Sequence, residues 1–193
     1  LMPCVNFHNY GFVHERIPNE LKQKLLYEAE GNLEEFQSGV SGENIAKHKW
    51  LKHNIDPLKS YVLNVLNAYN IVYPRLNDLN YHNGFLPLNF DTPWINYQKS
   101  GEYIPYHKHD GIYSYNIWLK IPTRCVFQFT YTDILGNIEK HDINLHKEDE
   151  GSLIMFPAKL PHVVYPFKNC EDTRISVAGN ISFQAPNGTS SNL

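Results

Sequence analysis

Arginine is scarce in this chain: Arg16, Arg75, Arg124 and Arg174 are the only four among 193 residues, and no basic run stands out. With 17 basic against 20 acidic residues the formal net charge is −3, which argues against a dedicated nucleic-acid or membrane-surface binder. Cysteine is sparse as well. Cys4, Cys125 and Cys170 are odd in number, widely spaced and outside any CxxC pattern. That excludes a disulfide scaffold or zinc knuckle and suits a reducing compartment. No apolar run approaches the length of a membrane span, and the first residues lack a signal-peptide pattern, so a cytoplasmic location is expected.

What is present points to one soluble globular domain over 1–193, since hydrophobic residues make up 42% and charged ones 19%. The 13 tyrosines and 10 phenylalanines favour β-rich structure. Residues 1–80 nevertheless read as mostly helical. In "IPNELKQKLLYEAEG" Leu21, Leu25 and Ala29 recur at helical spacing behind Pro18. In "DPLKSYVLNVLNAYN" Asp56 is a good N-cap, Pro57 a good first helical residue, and Leu58, Tyr61, Val62, Val65, Leu66 and Tyr69 trace one face. From about residue 90 the pattern changes to short strands punctuated by Gly, Pro, Asn and Asp. The strands expected are 93–98, 103–109, 113–121, 126–132, 140–145, 151–156, 162–167 and 174–183. Eight such strands suggest a jelly-roll sandwich or barrel over about 90–183, with the helices packed outside it. The small polar stretch 184–193 reads as a tail.

Within the strands, "YIPYHKHDGIY" carries His107 and His109 one residue apart. On a strand, residues two apart share a face, so both imidazoles can enter a barrel while Lys108 points away. Imidazole nitrogen ligates Fe, Zn, Ni and Cu. A third ligand is offered by His162, at the start of the strand that follows "GSLIMFPAKLP". The remaining histidines, His8, His14, His48, His53, His82, His141 and His146, read as ordinary surface or core residues. Arg174 opens the apolar strand "RISVAGNISF", with Ser176 on the same face. Pointing inward, that arginine needs an anion such as a dicarboxylate. Pointing outward, it would pair with Glu171 or Asp172.

These residues, in this order, resemble the Fe(II)/2-oxoglutarate-dependent oxygenases of the double-stranded β-helix fold. Over 93–183 the stretches "PWINYQKSGEYIPYHKHDGIYSYNIWLKIP" and "GSLIMFPAKLPHVVYPFKNCEDTRISVAGNISF" look like the prolyl-4-hydroxylase-like oxygenases of marine phage genomes, which would place the protein in a host cytoplasm. The resemblance implies a mainly β fold with N-terminal α-helices, Fe(II) on His107 and His162, and 2-oxoglutarate clamped by Arg174 and Ser176. It places Asn96 and Gln98 among the polar contacts to the cosubstrate. The implied reaction hydroxylates a peptide (a prolyl residue is one option) or a small molecule, consumes O2, and releases succinate and CO2. The family's usual triad is His-x-Asp/Glu…His, and here His109 stands where the carboxylate should be. Asp110, one residue further, faces the other side of a regular strand and would need a bulge to turn in. The expected set is therefore His107, His109 and His162, with Asp110 as the alternative.

A cupin-type metal enzyme is the rival. "GEYIPYHKH" fits G-x5-H-x-H, and "GSLIMFPAKLPH" fits most of G-x5-P-x-G-x2-H, with Lys159 in place of the glycine. The glutamate that such a site expects after the second histidine is missing, because Tyr113 and Ser114 stand there. A non-enzymatic metal-binding jelly roll is the third option. Arg174-Ile-Ser176 favours the oxygenase.

Overall fold

The computed structural model describes residues 11–31, 35–36, 42–70 and 88–183. In chain order the elements are β1 (Val13–Arg16), α1 (Asn19–Ala29), β2 (Glu35–Phe36), β3 (Lys47–Trp50), α2 (Ile55–Asn70), β4 (Leu88–Phe90), β5 (Trp94–Gln98) and β6 (Ile104–His107). There follow β7 (Tyr113–Lys120), β8 (Cys125–Thr132), β9 (Ile138–Leu145), β10 (Ser152–Pro157), β11 (His162–Val164) and β12 (Arg174–Phe183). A large antiparallel sheet runs β1-β10-β7-β12-β5-β3-β2, with β4 also paired to β12. A smaller antiparallel sheet runs β6-β11-β8-β9. This is the expected jelly roll of two facing sheets with helices on the outside.

Alternation along β5, β7 and β12 divides the interior in two. Ile95, Ile117 and Val177 join Leu21, Leu25, Leu58 and Val62 in a layer between the large sheet and the helices. On the opposite face, Trp118 joins Phe127, Phe129, Phe156 and Leu160 in a second cluster between the sheets. That same inner face carries Asn96, Gln98, Arg174 and Ser176, all buried. Tyr97 and Tyr115 belong to the helix-side layer, away from the interior between the sheets.

Residues 1–80 are less helical than expected. The described part holds three strands, β1, β2 and β3, beside α1 and α2. Neither "VHER" nor "KHKW" is long enough to display a period of two. Their strand character comes from pairing with β10 and β5, which lie far along the chain. The short β4 was likewise not anticipated. Helix α2 opens at Ile55, so Asp56 sits in the first turn rather than at the cap. There its carboxylate still meets the positive end of the helix dipole. Residues 71–80, the tail 184–193, Cys4, His8 and His82 lie outside the described residues. No helix among the described residues is long and apolar enough to cross a membrane.

One buried carboxylate ties the helices together. Glu28, on α1, accepts from Lys52 N at 2.5 Å and His53 N at 2.8 Å through one oxygen. Its other oxygen accepts from Asn54 N at 2.9 Å and Asn54 Nδ2 at 2.7 Å. Burial pushes its pKa up, but these bonds outweigh burial and hold it below the ordinary value. The turn into α2 is thereby fixed against α1.

Candidate metal and anion site

The antiparallel register of β6 and β11 sets His107 directly opposite His162. Directly opposed side chains on paired strands project from one face, so two residues distant in sequence become neighbours. Their rings lie 4.2 Å apart, centroid to centroid. The strand expected over 103–109 stops at His107. His109 therefore reaches the same place from the loop, and not through strand alternation. Its backbone N–H donates to Ala158 O at 2.9 Å, and Ala158 N–H donates to Ile112 O at 2.9 Å. These bonds clasp the 108–112 loop to the turn between β10 and β11 that precedes His162. The outcome is one cluster: a ligand nitrogen from each of His107, His109 and His162 lies within 4.8 Å of the others.

Gly111 makes the loop's path possible. A Cβ there would stand 2.8 Å from Ile181 O on β12, a separation no side chain tolerates against rigid backbone. Asp110 does not turn inward. Its carboxylate is fully exposed and pairs with Lys159 Nζ at 2.7 Å.

The cluster is built to present lone pairs. Pro105 O accepts from His107 Nδ1 at 2.7 Å, and Leu160 O accepts from His162 Nδ1 at 3.0 Å. A carbonyl only accepts, so both rings carry their proton on Nδ1 and keep Nε2 free, the arrangement that orients metal-binding imidazoles. Burial lowers the pKa of all three rings, that of His109 to about 4, with a second contribution from His107. These imidazoles stay neutral at neutral pH. Phe127 stacks on His162 at 5.2 Å, and Phe156 meets its face edge-on at 4.9 Å, so apolar rings enclose one side.

Across from the cluster lies a polar strip. In the β12–β5 register Arg174 faces Gln98 and Ser176 faces Asn96. Trp94 connects strip and cluster: its ring lies 5.7 Å from His109, and its indole N–H donates to Asn96 Oδ1 at 3.1 Å. Arg174 is 2% exposed, and its Nη1 has no hydrogen-bond partner. Its neighbour is the Cys125 thiol, and no carboxylate of the described residues pairs with it. The outward pairing with Glu171 or Asp172 is thus set aside; Asp172 instead contacts Lys120 at 3.4 Å. A buried guanidinium without an anionic partner is costly, and an anion bound beside it removes that cost. Gln98 donates both amide hydrogens to carbonyls, of Glu102 at 2.5 Å and Tyr165 at 3.0 Å. It can offer a ligand only its oxygen.

One residue of the strip escaped the sequence. His48, on β3, is buried, and its Nδ1 lies 2.6 Å from Asn96 Oδ1. Flanked by lysines in "KHKW", it had no signal to separate it from a surface histidine.

No family model and no curated protein sequence matches the chain. Solved structures do. A prolyl-4-hydroxylase from Pseudomonas putida superposes with a TM-score of 0.62 at 18% identity, covering 91% of this chain and 94% of that one. The viral collagen prolyl hydroxylase of Paramecium bursaria Chlorella virus-1, in complex with 2-oxoglutarate, gives 0.52 at 17% identity, covering 87% and 94%. HygX from Streptomyces hygroscopicus, with nickel and 2-oxoglutarate bound, gives 0.56 at 11% identity, covering 91% and 84%. The chain has the jelly-roll fold of the 2-oxoglutarate–Fe(II) oxygenases, in the form found in prolyl hydroxylases.

Proposed function

We propose that this protein is an Fe(II)- and 2-oxoglutarate-dependent dioxygenase that hydroxylates a carbon of its primary substrate and releases succinate and CO2. The observation that carries this reading is the Arg174 guanidinium, buried with its Nη1 unbonded and with no carboxylate partner among the described residues, on the same inner face as the strip bordering the three-histidine cluster. A metal cluster alone would suit a cupin equally well, because the architecture is shared. A buried cation awaiting a carboxylate distinguishes the two.

His107, His109 and His162 would hold the metal. Two have Nε2 lone pairs directed by backbone carbonyls, and all three are neutral. The bound iron would supply oxygen activation coupled to oxidative decarboxylation of the 2-oxo acid. The protein's own contributions are binding, orientation and exclusion of water. Arg174 takes the distal carboxylate of 2-oxoglutarate through its fork, and Ser176 adds a hydroxyl donor. Phe127, Phe129 and Phe156 keep the His162 side of the site dry. A peptidyl proline is the first primary substrate to test, given the prolyl hydroxylases among the matching structures.

The test is Fe(II)-dependent formation of succinate from 2-oxoglutarate, together with calorimetric binding of 2-oxoglutarate to Mn(II)-loaded protein. Saturable binding and succinate release support the reading. Metal binding with no affinity for 2-oxoglutarate would point to the cupin alternative, and stoichiometric metal with no turnover on any substrate to a non-enzymatic protein.

A further inference from the structure

We infer that His48 is a positioning residue for the 2-oxoglutarate site, acting through Asn96 to hold the Ser176 hydroxyl as a donor to the distal carboxylate. This rests on the function proposed above. His48, Asn96 and Ser176 are successive register partners on β3, β5 and β12, so they form one row across the inner face of the large sheet.

The hydrogen bonds along this row have only one consistent direction. An indole N–H can only donate, so the Asn96 atom bonded to Trp94 Nε1 is the amide oxygen. The His48 Nδ1 that meets the same oxygen at 2.6 Å must therefore carry a proton and donate it. The Asn96 amide nitrogen, fixed on the other side, donates to Ser176 Oγ at 3.2 Å. Ser176 has a single proton and already accepts from Asn96, so that proton points away from Asn96. Arg174 lies two residues before Ser176 on the same strand face, and a carboxylate on its guanidinium is the acceptor within the strip's chemistry. Without His48, Asn96 Oδ1 keeps only the Trp94 bond. The amide is then freer to tilt, and the hydroxyl loses its preset direction. His48 need not touch the ligand to affect it.

The experiment compares affinities of Mn(II)-loaded protein for 2-oxoglutarate and for pyruvate, a 2-oxo acid without the distal carboxylate. His48→Phe should weaken 2-oxoglutarate roughly 3- to 10-fold, the worth of one hydrogen bond, and leave pyruvate unchanged. His48→Asn, whose Nδ2–H can stand in for Nδ1–H, should stay within about twofold of wild type for 2-oxoglutarate. Equal losses for both acids, no loss in His48→Phe, or equal damage in His48→Asn would each overturn the inference. If wild type does not bind 2-oxoglutarate, or Arg174→Leu binds it equally well, the proposed function fails first. Should His48→Phe not fold, nitrogen NMR of metal-free wild type decides: a His48 ring protonated on Nδ1 is expected, and protonation on Nε2 alone contradicts it.

Discussion

Asp110 and Lys159 form a surface ion pair at 2.7 Å, joining the loop that carries His109 to the turn that precedes His162. Asp110 is fully exposed, so the carboxylate next to His109 in sequence is directed to solvent. Exposed pairs of this kind contribute little to stability. Asp110→Asn should therefore leave metal affinity within about twofold of wild type. His109→Ala should lower it by at least roughly 100-fold, beyond the loss typical of an outer-shell change. Competition with a chelating dye reads both, and a large loss in Asp110→Asn would return Asp110 to the ligand set.

Arg174 bears on stability and binding in opposite directions. Its buried Nη1 lacks a hydrogen-bond partner, so Arg174→Leu removes a buried charge that no carboxylate of the described residues neutralises. The melting temperature of metal-loaded protein without 2-oxo acid should hold or rise in this variant. The further rise that 2-oxoglutarate gives wild type by mass action should vanish, with affinity reduced roughly 30-fold or more. Thermal melts with and without 2-oxoglutarate check both halves. A variant that melts lower yet still responds to the acid would contradict the assignment.

Glu28 supplies the pH dependence. Its pKa lies below the ordinary 4.5 when folded, so the unfolded chain binds more protons as pH falls through this range. The stability it contributes is full above about pH 4.5 and is lost as pH drops through the lower folded value. Glu28→Gln keeps one acceptor and introduces an amide against backbone N–H groups, costing about 1–3 kcal/mol at neutral pH. Denaturant melts across pH should show a shallower acid limb in the variant than in wild type. Parallel acid limbs would contradict the account.

Gly111→Ala should disturb the site without touching a ligand. The new Cβ would meet Ile181 O at 2.8 Å and Asn180 Cβ at 3.1 Å, so the loop must shift. A cost of about 1–3 kcal/mol is expected for this overpacking. Metal affinity should fall with it, because the loop sets His109. Unchanged affinity and stability would mean that the loop yields without moving His109.

The jelly roll and its two long helices were legible because their patterns are local: period two in β7, β8 and β12, and helical spacing in Leu58, Val62, Val65 and Leu66. Strands β1 to β4 were not, since two to four residues display no period and their hydrogen bonds come from distant partners. The histidine pair was legible for partly the wrong reason. Strand alternation was expected to bring His109 inward, whereas the strand ends at His107 and backbone bonds to Ala158 hold the loop. His48 was missed because burial of one histidine between two lysines depends on β3 pairing with β5, which nothing in "KHKW" announces.

The most direct test of the central claim is a crystal structure of the protein with Fe(II) and 2-oxoglutarate, prepared without oxygen. The account predicts nitrogen ligands from His107, His109 and His162 on the metal, with the distal carboxylate of 2-oxoglutarate on Arg174. Asp110 on the metal with His109 turned outward, or a carboxylate bound away from Arg174, would contradict it.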